Sequence, residues 1–221
     1  MPHFQGDEAV NYDAKITKLV PGYELLHQLT GAQLLTLLPD DSIILVVGAG
    51  TGRDIIELAS INESWHFIAQ DISADMLDIA KTQFTDHGLL SRVTFHYGEL
   101  TTLDTPVDAA LCLLVMHFLP DNGDKDTLLH SIRRNMVSSG TVFIADLVVP
   151  ETKFEREAQL AMCRTLGLTE IGEQRMRHNL SHEFYPLNRI RLAELLETSG
   201  FSNPHHYFKA LGFSGVVCHA L

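Results

Sequence analysis

Positive charge is scarce in this chain of 221 residues: 16 lysines and arginines stand against 28 aspartates and glutamates, a formal charge of −12 at pH 7. Such a balance repels a phosphate backbone unless a local basic patch overrides it. The best candidate patch is Lys153, Arg156, Arg164, Arg175, Arg177, Arg189 and Arg191. Glu151, Glu155, Glu157, Glu170, Glu173, Glu183, Glu194 and Glu197 share that stretch, so no nucleic-acid partner is expected. Cysteine is equally thin. Cys112, Cys163 and Cys218 have no paired spacing, which excludes a disulfide framework and reads as reduced thiols of a cytoplasmic protein. Long apolar runs are missing too: the longest, Ala109–Met116, is far too short to span a bilayer, so no membrane partner is expected. The opening MPHFQGDEAVNYDAK lacks the basic and apolar regions of a secretory leader. No repeat, low-complexity tract or Gly/Ser/Pro-rich linker divides the chain, which predicts one domain over residues 1–221.

What is present centres on Ile43–Asp54, IILVVGAGTGRD. An unbroken apolar run of this kind suits a buried parallel strand. Gly48, Gly50 and Gly52 then allow a tight turn and a close approach of backbone to a ligand. The helix that follows points its free N–H groups and positive dipole end into the same crevice. A dinucleotide site would want G-x-G-x-x-G, with glycine at 53, where Arg53 stands. G-x-G-x-G instead resembles the first motif of the class I S-adenosylmethionine (SAM) methyltransferases.

The rest of the chain alternates strands with helices. Strands are predicted at Ile43–Val47, Trp65–Gln70, Arg92–Tyr97, Val107–Leu114, Thr141–Val149, His205–Ala210 and Gly215–Ala220, the last two as an antiparallel hairpin about Leu211–Ser214. Helices are predicted over Tyr23–Leu38, from Arg53 to Ser60, from the Ser73 cap to Gly88, through Leu128–Met136 to Gly140, and over Leu187–Ser199. Two polar helical segments run from Pro150 to about Arg177. The expectation is an α/β, doubly wound, mostly parallel seven-stranded sheet, Rossmann-like, with a C-terminal antiparallel hairpin. Residues 1–40 and 150–186 would form a helical cap over the substrate site.

In such a sheet ligands bind beyond the carboxyl ends of the strands, so the residues after each strand read as one site. Gly48, Ala49 and Gly50 follow the first strand. Asp71 follows the second, where a carboxylate accepts both ribose hydroxyls, and Ile72 and Met76 suit an adenine face. Gly98, Glu99 and Leu100 follow the third, with Glu99 placed for an adenine amino proton. Leu113 through His117 follow the fourth.

These residues match the class I SAM-dependent methyltransferases over roughly Ser42–Val149. Tyr12-Asp13 and the PGY of Pro21-Gly22-Tyr23 are similar to the subgroup that contains the carboxy-SAM synthase of tRNA wobble-uridine modification. That resemblance implies SAM as cofactor and lays Tyr23 over it; the competing reading is a helix-start tyrosine packed in the core. Three departures stand out. Val46 occupies the strand position where most of the family has an acid, so the methionine ammonium must use carbonyls such as those of Gly48 or Leu113. Cys112 replaces the subgroup's asparagine. Leu195 aligns with the arginine that holds the extra carboxylate, leaving Arg189 or Arg191 to compensate, and plain SAM is the assignment.

A sulfonium methyl is already electrophilic, so the chain mainly has to align a nucleophile and exclude water. Candidates for base or acceptor contacts are His117, Asp146, His178, His182 and Tyr185, with His117 read either as catalytic or as packed under the insertion. His178 and His182 have metal-ligand spacing but no third ligand, and no metal is expected. The expected function is methyl transfer to a small-molecule acceptor, anionic and met by the insertion's arginines, with a homodimer as the candidate assembly. The alternatives are a SAM-modifying enzyme like the carboxy-SAM synthase and a SAM-binding subunit without catalysis.

Overall fold

Apolar residues without interruption make a strand that is covered on both faces, and β1 (Ile43–Val47) is buried at its last four positions. It lies at the middle of a seven-stranded sheet in this computed structural model, which describes residues 6–221. The first five residues of the expected N-terminal cap lie outside the described residues. The other strands are β2 (His66–Asp71), β3 (Val93–Tyr97), β4 (Val107–Leu113), β5 (Met136–Leu147), β6 (His205–Ala210) and β7 (Phe213–His219), in the order β3-β2-β1-β4-β5-β7-β6. Strands β1 to β5 pair in parallel; β7 runs antiparallel to both β5 and β6.

Successive residues of a strand face opposite sides, and β1 divides its side chains accordingly. Ile44 and Val46 join Leu26 and Leu34 of α3 (Tyr23–Leu37), Ile55 and Leu58 of α4 (Arg53–Ile61), and Leu77 and Phe84 of α5 (Ala74–Asp86). Leu45 and Val47 join the opposite core, with Leu129 and Ile132 of α6 (Asp124–Asn135) and Leu195 and Leu196 of α9 (Arg189–Thr198). Two short helices, α1 (Asp7–Val10) and α2 (Tyr12–Leu19), precede this framework. The insertion folds as α7 (Glu155–Thr165) and α8 (Glu170–His182), whose Leu160, Cys163 and Met176 form a small core that Leu19 of α2 joins. Among the described residues no helix is long and apolar enough to cross a membrane.

Three expected boundaries move. The helix expected to run to Gly140 ends at Asn135, because Met136 pairs with Val107 and the chain enters β5. Gly140 serves that strand instead: a Cβ there would stand 3.0 Å from the Asp108 carbonyl at an irregular step of the β4–β5 ladder. The hairpin turn is two residues, Leu211-Gly212, with Leu211 at φ 53°, so Phe213 and Ser214 belong to β7 and Phe213 is buried. Short hairpin loops of this kind twist with their strands. The last long helix starts at Arg189 on its Asn188 cap, whose side chain accepts from the Arg191 amide. Leu187, expected inside it, bridges to Val148.

Candidate active site at the reversal of strand order

The connections leave the sheet in opposite directions from β1 and β4, and a crevice of about 640 Å³ opens beyond their carboxyl ends. Its floor is the glycine turn. Gly48 has φ 64°, and a Cβ there would stand 2.6 Å from Val115. Gly52 has φ 87°, and a Cβ would meet the Phe84 ring at 2.5 Å, so this glycine seats α4 on α5. Gly50 differs: at φ 54° its nearest neighbour would be the Gly48 carbonyl at 3.9 Å. Space is open there, on the lining of the crevice.

Two residues at the end of β2 hold this turn in place. Asp71 accepts the Gly50 amide through Oδ2 at 2.9 Å and the Ser73 amide through Oδ1 at 2.8 Å. Gln70 accepts the Gly48 amide at 3.2 Å and donates to the Gly98 carbonyl at 2.7 Å. Three strand ends are thus bound together by two neighbouring side chains. Gln70, at the end of the apolar run of β2, was not singled out in the sequence. Beyond β4, Leu114 adopts φ 62°, unusual for a branched residue, and its amide donates to the Ala145 carbonyl at 2.7 Å. Leu113, Leu114 and Val115 form the opposite wall.

Of the residues expected from the strand ends, Gly48, Gly50, Asp71, Ile72, Met76, Gly98, Glu99, Leu100 and Leu113 all line this one crevice. Ala49 does not; its methyl belongs to the core, and its amide donates to the Gln70 carbonyl at 2.8 Å. Tyr23, expected over the cofactor, is corrected. It is buried in the core with its ring edge-on to His27 at 4.4 Å and the Arg53 guanidinium 5.5 Å from its centroid. Burial, and then the charge of Asp54, push its phenol pKa up. The tyrosine on the crevice wall is Tyr12, whose phenol is also pushed up by burial and then by Asp54, Asp13 and Asp71. Asp13 ties α2 to the turn, accepting from the Thr51 hydroxyl at 2.6 Å and from Gln83 at 3.3 Å. The Tyr12-Asp13 pair was the available signal.

At the other end, His117 lies in a single 3-10 turn (Met116–Phe118) and its Nδ1 meets the Asp146 carboxylate. Both are buried, and Asp146 also accepts the Leu147 amide at 2.8 Å. The His117 ring packs on Phe118 and Phe184, with centroids 4.0 and 4.8 Å away. Phe118 and Leu119 are on the crevice lining, which sets the dyad directly behind that wall. Lys125 of α6, fully buried, donates to the Met116 carbonyl and, at 2.9 Å, to that of Tyr185. Burial lowers its pKa, against the opposing pull of Asp146 and Asp121. The Tyr185 amide closes the same junction on the His117 carbonyl at 2.7 Å.

The remaining candidates are elsewhere. Arg191 is engaged by both oxygens of Asp121 at 2.9 and 3.0 Å, Arg189 is 3.9 Å from Glu151, and Leu195 is buried in the second core. None of these three lines the crevice, so the expected compensation by Arg189 or Arg191 is corrected. His178 and His182 stack 4.6 Å apart on the exposed side of α8. Among the described residues no group of three histidine, cysteine or carboxylate side chains is placed to hold a metal.

Residues 44–140 match the methyltransferase domain family. Two curated relatives carry the name carboxy-S-adenosyl-L-methionine synthase. That of Campylobacter jejuni subsp. doylei is 24% identical over 221 residues, covering 97% of this chain and 93% of the relative. That of Yersinia pseudotuberculosis serotype IB is 24% identical over 229 residues, covering 97% and 92%. Among solved structures, a putative O-methyltransferase from Nostoc punctiforme superposes with a TM-score of 0.70 at 17% identity, over 96% of this chain and 60% of that one. Magnesium protoporphyrin IX methyltransferase from Synechocystis, solved with bound SAH (S-adenosylhomocysteine), gives a TM-score of 0.64 at 17% identity, over 90% and 84%. These two share the fold.

Proposed function

Because residues 44–140 match the methyltransferase domain family, we propose that the chain is a class I SAM-dependent methyltransferase that transfers the methyl group of SAM in line to a small-molecule acceptor, with His117 as base. The observation that carries this reading is the crevice at the strand-order reversal, with open space at Gly50 and the Asp71 carboxylate on its wall. That combination fits SAM: a carboxylate for the ribose hydroxyls, Ile72, Met76 and Leu100 for the adenine, and glycine backbone beside the methionine portion. Glu99 would accept from the adenine amino group, and the carbonyls of Gly48 and Leu113 would serve the ammonium in place of the absent strand acid.

When bound, SAM supplies a methyl group that needs no further activation, so the chain's work is alignment, exclusion of water and removal of a proton. With its Nδ1–H donated in a hydrogen bond to the Asp146 carboxylate, the neutral His117 ring keeps the lone pair on Nε2, which would take the acceptor's proton. Asp146 holds that tautomer, as a carboxylate behind an imidazole does elsewhere. Phe118, Leu119 and Tyr12 keep water from the transfer path. The three cysteines, all buried and free, support a reducing, cytoplasmic setting.

Methyl-labelled SAM incubated with the protein and a whole-cell extract, then fractionated into small molecules and tRNA, tests the reading. Label should enter the small-molecule fraction, and its appearance in tRNA instead would refute the acceptor class. A second reading, a carboxy-SAM synthase-like enzyme, is favoured by the 24% identity over 97% of the chain. It predicts a cofactor product in which the methyl carbon stays on sulfur, exchanging one hydrogen for a carboxyl group from a carboxylate-bearing co-substrate, which mass spectrometry separates from methyl transfer.

A further inference from the structure

Arginines of the insertion and of α9 are matched to acids. Arg164 pairs with Glu173, Arg177 with Glu157 and Glu173, Arg175 with Glu8, Arg189 with Glu151 and Arg191 with Asp121. Arg156 breaks this pattern. It is half-buried on α7, forms no ion pair among the described residues, and gives one N–H to Gln159 Oε1 at 2.7 Å. Gln159 has no exposed surface at all, and its Nε2 is buried without an acceptor. A buried amide N–H₂ that donates to nothing is costly, and native chains seldom keep one without a use.

The seat of the two side chains is Gly212. A Cβ there would stand 2.0 Å from Gln159 Oε1, so only glycine lets the amide lie on the hairpin turn. The Gly212 carbonyl accepts the Val148 amide at 2.8 Å, two residues beyond Asp146. At roughly 3.3 Å per residue along an extended chain, Val148 is about 7 Å from Asp146. On its other side α7 lies against α2, whose first residue, Tyr12, is on the crevice wall. An unmatched guanidinium and an unused amide donor therefore meet on the hairpin turn beside the carboxyl end of β5, the strand that carries Asp146.

We propose that Arg156 and Gln159 form a carboxylate-binding subsite that anchors an anionic acceptor. The inference rests on the methyltransferase reading and adds the charge of its acceptor. A guanidinium presents two parallel N–H groups to a carboxylate, and an amide donor adds a third bond. The acid-rich surface elsewhere keeps other anions from competing widely, so a single unmatched arginine selects its ligand locally.

The test uses the full chain and benzoate as probe. SAH affinity is measured first by calorimetry for the parent, Arg156→Gln, Arg156→Lys and, as a control for insertion charge, Arg175→Gln. All four should bind SAH alike. Benzoate is then titrated into each SAH-bound protein. It should bind the parent and Arg175→Gln equally, Arg156→Gln at least about tenfold more weakly, and Arg156→Lys in between, since lysine keeps the charge and loses the fork. Benzoate that ignores the SAH-bound parent, or binds Arg156→Gln as well as the parent, overturns the subsite. Binding lost equally in Arg175→Gln overturns it too, by assigning the effect to general charge. Unchanged benzoate binding with Arg156-dependent binding of an S-carboxymethyl SAH derivative moves the carboxylate onto the cofactor and overturns the acceptor assignment. Failure of the parent to bind SAH refutes the methyltransferase reading itself, and this inference with it.

Discussion

The amide of Gly50 donates to Asp71 Oδ2 across 2.9 Å, so one carboxylate both shapes the glycine turn and faces the crevice. Replacing it therefore acts twice. Asp71→Ala should weaken SAH binding by about 1–3 kcal/mol, the range for hydrogen bonds to a charged acceptor. It should also lower thermal stability, because the Gly50 and Ser73 amides lose their acceptor. Calorimetry with SAH and with NAD on the folded variant decides it. Unchanged SAH affinity removes the ribose role, and NAD binding by the parent without SAH binding removes the cofactor assignment.

His117 and Asp146 should separate rate from affinity. His117→Ala is expected to slow methyl transfer by about 10²–10⁴-fold, the usual contribution of a positioned base, while SAH affinity holds. Asp146→Asn should fall between parent and His117→Ala, since an amide facing Nδ1 favours the wrong tautomer. Steady-state transfer of labelled methyl measures both. Equal rates in all three proteins would leave the dyad a packing element beneath the insertion.

Tyr12 and Tyr23 should respond oppositely to the same truncation. Tyr12→Ala should reduce SAH affinity, since its ring is on the crevice wall. Tyr23→Ala should chiefly lower the melting temperature, by removing a ring packed on His27 within the core. Paired melting curves with and without SAH give the comparison; a larger loss of SAH affinity in Tyr23→Ala would restore the cofactor-covering role to that residue.

His27 gives the fold a pH dependence. Its Nδ1 lies 2.5 Å from Asp54, and although burial alone would lower its pKa, the charge and hydrogen bond of Asp54 raise it. A histidine whose folded value is raised adds stability that is complete below the unfolded pKa of about 6.5 and is lost as pH climbs through the folded value. The parent should therefore exceed His27→Gln in stability by more at about pH 6 than at about pH 9. Urea unfolding of both proteins at the two pH values tests this. A gap that does not change with pH would mean that folding leaves the His27 pKa unshifted, and a gap that widens toward pH 9 would mean that folded His27 is neutral.

What could be read from residues alone was what depends on local patterning. Ile43–Val47 announces a central strand because nothing polar interrupts it, and acids such as Asp71 and Glu99 sit at strand ends where spacing along the chain is enough to find them. Where long-range packing decides, the residues were silent or misleading. Met136 reads as a helix position until Val107 pairs with it. Tyr23 carries the subgroup's motif yet turns into the core, and Tyr12 takes the wall because Asp13 is held by Thr51 and Gln83, contacts 38 and 70 residues away in sequence. The Gln70 bonds to Gly48 and Gly98 join residues 22 and 28 positions apart, and no local signal foretells them.

Lys125 grips Met116 and Tyr185 through their main-chain oxygens, and main-chain oxygens persist whatever side chains are attached. The exposed side chain at position 185 can thus change without undocking the segment at this junction, whereas Met116 is also held by its packing in the second core. A single buried ammonium makes this junction tolerant of mutation, so a change of acceptor is open to gradual substitution, whereas loss of the lysine would release both segments in one step.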